Sequence, residues 1–328
     1  MTDTDDSAAR SSRGSQARRP WRVGGGHRWR NLAILAAALC IALYAAYAGR
    51  RTPVGPQLGA GISWPNDSQP APKKGPQARG IAVGRGSPTR NDALGAPNPS
   101  RFRVATYNIH RGKGLDGIRD LKRTAQVLRD ADLVGLNEVA GPPLWGRADQ
   151  AEQLARNLKI GWLFAPNQYR WHRYHFGNGL LSRLEVGRWT SEPLAYDEAT
   201  TNSPRNRLLA EIMAGAQPIT VMVTHLDRGR IRPVQLQSVL SEFVAHTPAV
   251  LVGDLNTTAA DPVFVAFFAD SNNVDAIGRS LGTSDDKNRI DWIITRGMNV
   301  LSGGMEPAGV SDHPCYWVDV EPLPVAGP

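Results

Sequence analysis

Two cysteines in 328 residues are too few for a disulfide scaffold or a cysteine-rich zinc site. Cys40 lies in an apolar run and Cys315 in a strand-like segment near the end of the chain, so no bridge between them is expected and the redox compartment stays open. Internal repeats are missing as well, which excludes a repeat array. The larger part of the chain also lacks a basic surplus. Residues 101–328 hold 24 Lys/Arg against 25 Asp/Glu, whereas residues 1–100 hold 14 against 5. The formal charge of +8 therefore belongs to the N-terminal third, and the rest carries no electrostatic footprint for nucleic acid. The hydrophobic share of 41% is ordinary for a folded core and allows one or two globular domains.

Composition divides the chain. Residues 1–30 are polar and arginine-rich (Arg18, Arg19, Arg22, Arg28, Arg30) and read as a disordered basic tail. The run Leu32–Ala48, LAILAAALCIALYAAYA, carries no charge. About 17 residues is the lower limit for a helix that crosses a bilayer, so residues 31–49 read as a transmembrane signal anchor. Arginines are denser before the run than after it, although Arg50 and Arg51 follow directly. That bias places the N-terminus in the cytoplasm and the remainder outside, as a single-pass membrane protein. Ala46-Tyr47-Ala48 resembles a small-x-small cleavage site, so a cleaved signal and a secreted product are the alternative. Residues 50–100 are rich in glycine and proline with few large apolar residues, and read as a flexible linker. The folded unit is expected over 101–322, with 323–328 as a C-terminal tail.

Within that unit, short β-rich runs end in polar residues: Arg103–Asn108, Leu133–Glu138, Ile219–His225, Ala249–Asn256, Ile290–Thr295 and Cys315–Val320. Near-continuous apolar runs of this length suit strands buried on both faces. Between them Ile118, Leu121, Ala125 and Leu128 follow helical spacing. So do Ala151, Leu154, Ala155 and Leu158, and Leu236, Val239, Leu240 and Phe243. Asp261-Pro262 has the chemistry of a helix start. Asn108, Glu138, His225, Asp254 and Asn256 all fall at or just beyond the C-terminal ends of strands, the usual functional edge of a sheet.

The segments TYNIH (106–110), NEV (137–139), GNGLLSR (177–183), THLD (224–227), GDLN (253–256), RIDWI (289–293) and SDHP (311–314) resemble, in order, the motifs of the endonuclease/exonuclease/phosphatase superfamily of metal-dependent phosphoesterases. The resemblance covers nearly all of 101–322. It implies an α+β fold, a four-layer α/β/β/α sandwich of two mixed sheets. It also implies a Mg²⁺ or Mn²⁺ ion, because a hard divalent cation neutralises an anionic phosphate ester and its leaving oxygen.

By the same resemblance Glu138, Asn108 and Asp312 are the metal candidates. Glu138 ends a buried strand, where an unpaired carboxylate is costly. His313 matches the superfamily's catalytic histidine, as general base or as stabiliser of the transferred phosphoryl group, and Asp291 is its orienting partner. Asp254 and Asn256 position the attacking water, and His225 binds phosphoryl oxygens. Asn178, His110 and Arg111 are the candidate substrate contacts. Trp171, His172, Tyr174, His175 and Phe176 read as packing rather than as a stacking loop, and Arg232 and Gln235 as structural.

The histidine of THLD argues against a base-excision role. The expected function is a membrane-anchored phosphoesterase acting by in-line water attack, with a monomeric catalytic domain. A lipid head group, nucleic acid or other organic phosphate remains open as substrate. Two alternatives stand beside it: a catalytically silent anchored binding domain of the same fold, and an arginine-rich tail that itself tethers the protein to anionic lipid or nucleic acid.

Overall fold

The computed structural model describes residues 26–64, 99–143, 148–199, 203–283 and 288–324. Most of the expected basic tail, residues 65–98 of the expected linker and the last four residues lie outside them. The chain forms two compact units, residues 1–48 and 49–328. The first carries helix α1 (Gly26–Gly49). Its Trp29–Gly49 portion has a mean hydropathy of 2.1 and is, among the described residues, the one helix long and apolar enough to cross a membrane.

The second unit contains two seven-stranded sheets. One runs from edge to edge as β1 (Thr52–Pro53), β5 (Gly161–Arg170), β6 (Arg173–Ser182), β4 (Leu133–Ala140), β3 (Phe102–Asn108), β14 (Cys315–Pro322) and β13 (Met298–Glu306). The other runs β11 (Asn273–Asp275), β12 (Asp291–Arg296), β10 (Ala249–Asp254), β9 (Gln217–His225), β8 (Asn206–Ala214), β7 (Val186–Pro193) and β2 (Gln57–Ala60). Both sheets are mixed. β3 and β4 pair in parallel in the first, β9 and β10 in the second, and the other pairs are antiparallel.

The apolar runs explain the layering. Val104, Leu133 and Leu180 of the first sheet meet Leu208, Val221, Val250 and Ile293 of the second in one dry core. The opposite faces are covered by helices. On α2 (Leu121–Leu128) and α3 (Gln150–Leu158), Ala125, Leu128 and Leu154 pack on Val134, Leu136 and Leu181. On α4 (Arg232–Phe243) and α5 (Pro262–Phe267), Leu236, Val239, Phe243 and Phe264 pack on Met222, Leu251 and Trp292. The result is the expected α/β/β/α sandwich. Carboxylate caps start the helices: Asp120 accepts from the Lys122 N–H, Asp149 from Glu152 and Asp261 from Val263, with Pro262 in the first turn. The cap at Asp120 leaves Ile118 outside α2 and exposed, contrary to the helical spacing expected of it.

The start of the segment expected to be a linker is not free chain. Thr52 and Pro53 pair with Tyr169 and Gln168 at the edge of the first sheet, and Gln57–Ala60 pairs with Arg188–Ser191 at the edge of the second. Ile62 is buried in the inter-sheet core. Backbone pairing and a flat aromatic lid hold β2 in place of apolar side chains. The Trp189 indole lies on Gly59, where a β-carbon would stand 2.5 Å from the ring, and its Nε1 donates to the Gly61 carbonyl at 3.1 Å.

Candidate active site

The parallel strand pairs at the centre of each sheet end side by side. Register sets Asn108 opposite Asn137 across β3 and β4, His225 opposite Asp254 across β9 and β10, and Asp254 opposite Asp291 across β10 and β12. The two sheets are joined there by polar side chains. Asn108 Nδ2 donates to Asp254 Oδ2 at 3.1 Å and lies 3.4 Å from His313 Nε2. Asn137 Oδ1 accepts the Asp254 backbone N–H at 2.8 Å. Gly253 permits this approach: its φ is 146°, and a β-carbon would fall 1.8 Å from the Thr224 carbonyl oxygen.

His313 Nδ1 meets Asp291 Oδ2 at 2.7 Å, and its Nε2 is 3.8 Å from Asp254 Oδ2. Burial alone would lower the imidazole pKa. The hydrogen bond and charge of Asp291, with Asp254 and Asp312 behind it, outweigh that effect and raise it to about 9. Asp254 is pushed up to about 6, first by burial and then by the neighbouring charge of Asp291. Its Oδ1 accepts the Asn256 N–H at 2.9 Å, and Asn256 Nδ2 in turn donates to the Leu226 carbonyl at 2.8 Å. His225 Nε2 is 3.4 Å from Asp254 Oδ2, yet neither of its ring nitrogens makes a hydrogen bond. Burial, followed by Arg205 and His313, holds this ring well below its ordinary pKa and so neutral. A buried imidazole without partners is suited to hydrogen-bonding a ligand oxygen.

Glu138 sits at an irregularity between β4 and β6, in the left-handed backbone region with φ 57°. A carboxylate held in a strained conformation at an irregularity within a strand suggests that its direction matters. Its side chain lines a cavity of about 220 Å³ together with Arg111 and Arg205. His110 and Arg111 also have positive φ, at 45° and 56°. The His110 N–H donates to Asn108 Oδ1, and its ring faces Asp312 at 3.3 Å.

The structure thus gathers Asn108, His225, Asp254, Asn256, Asp291 and His313, with Glu138 and Arg111 on the adjoining cavity. Two sequence expectations change. Asp312 turns to His110 with its side chain 42% exposed, outside the buried group of Asp254, Asp291 and His313, whose ligand atoms lie within 4.8 Å of one another. Asn178 is fully buried with both ends of its amide engaged, accepting from Asn137 Nδ2 at 2.8 Å and donating to Asn206 Oδ1 at 2.7 Å. Its amide braces Asn137 within the core. Arg232 donates to the Asn256 carbonyl at 2.7 Å, and Gln235 accepts the Asp227 N–H at 2.9 Å, so both steady the loops around the site.

Two features were not found in the sequence. Asn137 stands beside Glu138 as the other polar residue of the apolar strand β4, a signal legible in the sequence. Arg205 precedes β8 without any motif, and its buried Nε and Nη1 have no hydrogen-bond partner. Its charge faces Asp227, Asp254 and Glu138.

The donor set fits a hard divalent cation. Burial first, and then the neighbouring charge of Asp291, raises the pKa of Asp254 to about 6, and a cation beside this buried acidic group would offset both. Glu138 and Asn108 would supply oxygen donors to it, whereas His313 Nδ1 is already taken by Asp291.

The sequence profile of the Endonuclease/Exonuclease/phosphatase family matches residues 105–313. Among solved structures, an endonuclease/exonuclease/phosphatase from Beutenbergia cavernae is 25% identical, with a TM-score of 0.55 over 68% of this chain and 72% of that one. A Bacteroides vulgatus protein described in the same words is 20% identical, with a TM-score of 0.54 over 68% and 99%. A humanized D. rerio TDP2 is 20% identical, with a TM-score of 0.50 over the same shares. No curated protein matches the chain.

Proposed function

The chain belongs to the endonuclease/exonuclease/phosphatase family, and from that premise we propose that it is a membrane-anchored, divalent-metal-dependent phosphoesterase. The observation that carries this reading is the meeting of His313, Asp291, Asp254 and Asn108 across the ends of both sheets. The helix Trp29–Gly49 serves as the anchor, with the N-terminus in the cytoplasm and the second unit outside it, working as a monomer.

Glu138 and Asn108 would hold Mg²⁺ or Mn²⁺, which would supply charge neutralisation for the ester and its leaving oxygen. The protein side chains do the rest. Asp254, fixed by Asn108 and the Asn256 N–H, orients a water molecule and accepts its proton. Neutral His225 donates to a phosphoryl oxygen. His313, held by Asp291 and protonated at neutral pH, places positive charge and a proton donor beside the developing negative charge. Arg205 presents unpaired N–H groups to the same anion.

The test is hydrolysis of bis(p-nitrophenyl) phosphate by the full chain in detergent, with Mg²⁺ and with excess EDTA. EDTA is expected to abolish turnover, and Glu138→Ala and His313→Ala each to lower it by roughly 10²–10⁴-fold. Mutants as active as the parent would overturn the assignment.

A further inference from the structure

The cavity beside Glu138 is lined by Arg51, Arg111, Arg170, His175 and Arg205. His175 among them is neutral. Its pKa falls to about 4, by burial first and then through Arg173, Arg111, Arg170 and Arg51. Such a concave cluster is built for an anion larger than the one ester oxygen that the metal group handles. It is also local. The 24 basic residues of 101–328 are balanced by 25 acidic ones, whereas a nucleic-acid track needs a run of phosphate contacts along an extended groove.

The position of this cavity along the chain indicates where its anion comes from. The apolar helix ends at Gly49, and Arg51 already lines the cavity. Two residues of extended chain span about 7 Å. The head-group layer of one leaflet is similarly thick, roughly 5–8 Å. No slack follows, because Thr52 pairs with Tyr169, the Val54 N–H donates to the Asn167 carbonyl at 3.2 Å, and the Tyr196 hydroxyl donates to the Arg51 carbonyl at 3.3 Å. The β5–β6 hairpin beside this entry point bears Tyr169, Trp171 and Tyr174, each about 40% exposed. Trp171 lies against Gly49, where a β-carbon would stand 3.3 Å from its ring. Tryptophan and tyrosine beside cations are the residue types that settle at a bilayer's polar boundary.

We infer that the substrate is the phosphate ester of a membrane lipid, whose head group enters the arginine-lined cavity at Arg51, two residues along the chain from the end of the apolar helix. This rests on the phosphoesterase reading above and adds the substrate class to it. In the step, the water oxygen bonds to phosphorus, the ester P–O bond breaks, and the leaving oxygen takes a proton from His313 while Asp254 takes one from the water.

The experiment uses the full chain reconstituted in nanodiscs made from a total polar lipid extract, and measures release of water-soluble phosphorus. The same discs are offered a single-stranded oligodeoxynucleotide and bis(p-nitrophenyl) phosphate. Lipid phosphorus should be released at least tenfold faster than the oligonucleotide is cut, and Trp171→Glu should lower the ratio of lipid to bis-ester turnover at least tenfold. Oligonucleotide cleavage matching or exceeding lipid release overturns the inference. So does hydrolysis of the bis-ester with no release of lipid phosphorus, or an unchanged ratio in Trp171→Glu. Failure to hydrolyse any of the three would instead overturn the phosphoesterase reading itself, a pattern distinct from the others.

Discussion

Nδ1 of His313 and Oδ2 of Asp291 lie 2.7 Å apart, joining the loop before β14 to the first residue of β12 and so one sheet to the other. This pairing fixes the ring and leaves Nε2 pointing at Asn108 and Asp254. It also sets the charge of the ring: with a pKa near 9, His313 is protonated through neutral pH and loses its proton as pH climbs past that value.

Asp291→Asn should therefore lower kcat by roughly 10²–10⁴-fold, the scale on which misoriented or mistuned histidines fail. The alkaline limb of the pH–rate profile should also move to lower pH, because removal of the neighbouring negative charge lets burial depress the imidazole pKa. The kcat profile of parent and mutant, measured between pH 6 and about 10, checks both. An alkaline limb in the same place in both proteins contradicts the pairing's role.

Glu138 allows function to be separated from folding. Its left-handed backbone (φ 57°) costs a non-glycine residue roughly 1–2 kcal/mol. Glycine removes that cost while adding about 0.5–1 kcal/mol of chain entropy. Glu138→Gly should thus melt at or slightly above the temperature of the parent and yet hydrolyse phosphate esters hundreds of times more slowly. Loss of both stability and activity would identify a residue that merely supports the strand.

Much of this site is legible in the sequence because the strands advertise it. In TYN, THLD and GDLN a buried apolar run stops at a polar residue, and burial makes such a residue expensive unless it has work to do. Asn108, His225 and Asp254 stand out for this reason. Other residues escape because their partners are distant in sequence. Asn178 reads as a substrate contact until β4, β6 and β8 place Asn137 and Asn206 against it. Arg205 carries no local pattern at all. The edge strands at 52–60 are hidden for a different reason. An edge strand can be held by backbone pairing alone, and β2 has a single large apolar side chain, Leu58, which points outward. Glycine next to proline resembles a tether whether or not a sheet edge is available to receive it.

Arg205 is a buried cation whose Nε and Nη1 make no hydrogen bond. Burial lowers its pKa, and the charges of Asp227, Asp254 and Glu138 oppose that shift. Arg205→Met keeps the volume while removing the charge. KM for a phosphodiester should rise at least tenfold, since a charged hydrogen bond to an anion contributes about 1.5–3 kcal/mol. The melting temperature should hold or rise, because a desolvated charge is a poor source of stability. Steady-state kinetics with thermal melts decide the matter: an unstable mutant with unchanged KM makes Arg205 a structural cation.

Asn178 tests how far the amide network controls the chemistry it never touches. Its Oδ1 accepts from Asn137 and its Nδ2 donates to Asn206, while Asn137 holds the Asp254 backbone. Asn178→Ala leaves a buried donor–acceptor chain broken, at a cost of about 1–3 kcal/mol. Denaturant melts should register that loss. Because Asn137 retains its bond to the Thr224 carbonyl at 3.0 Å, Asp254 shifts without being released, so kcat should fall by about tenfold or more with KM little changed. Asn178→Gln keeps both functional groups but adds a methylene to a filled core, and should not restore the rate. A rise in KM at constant kcat would return Asn178 to the substrate contacts expected from its sequence.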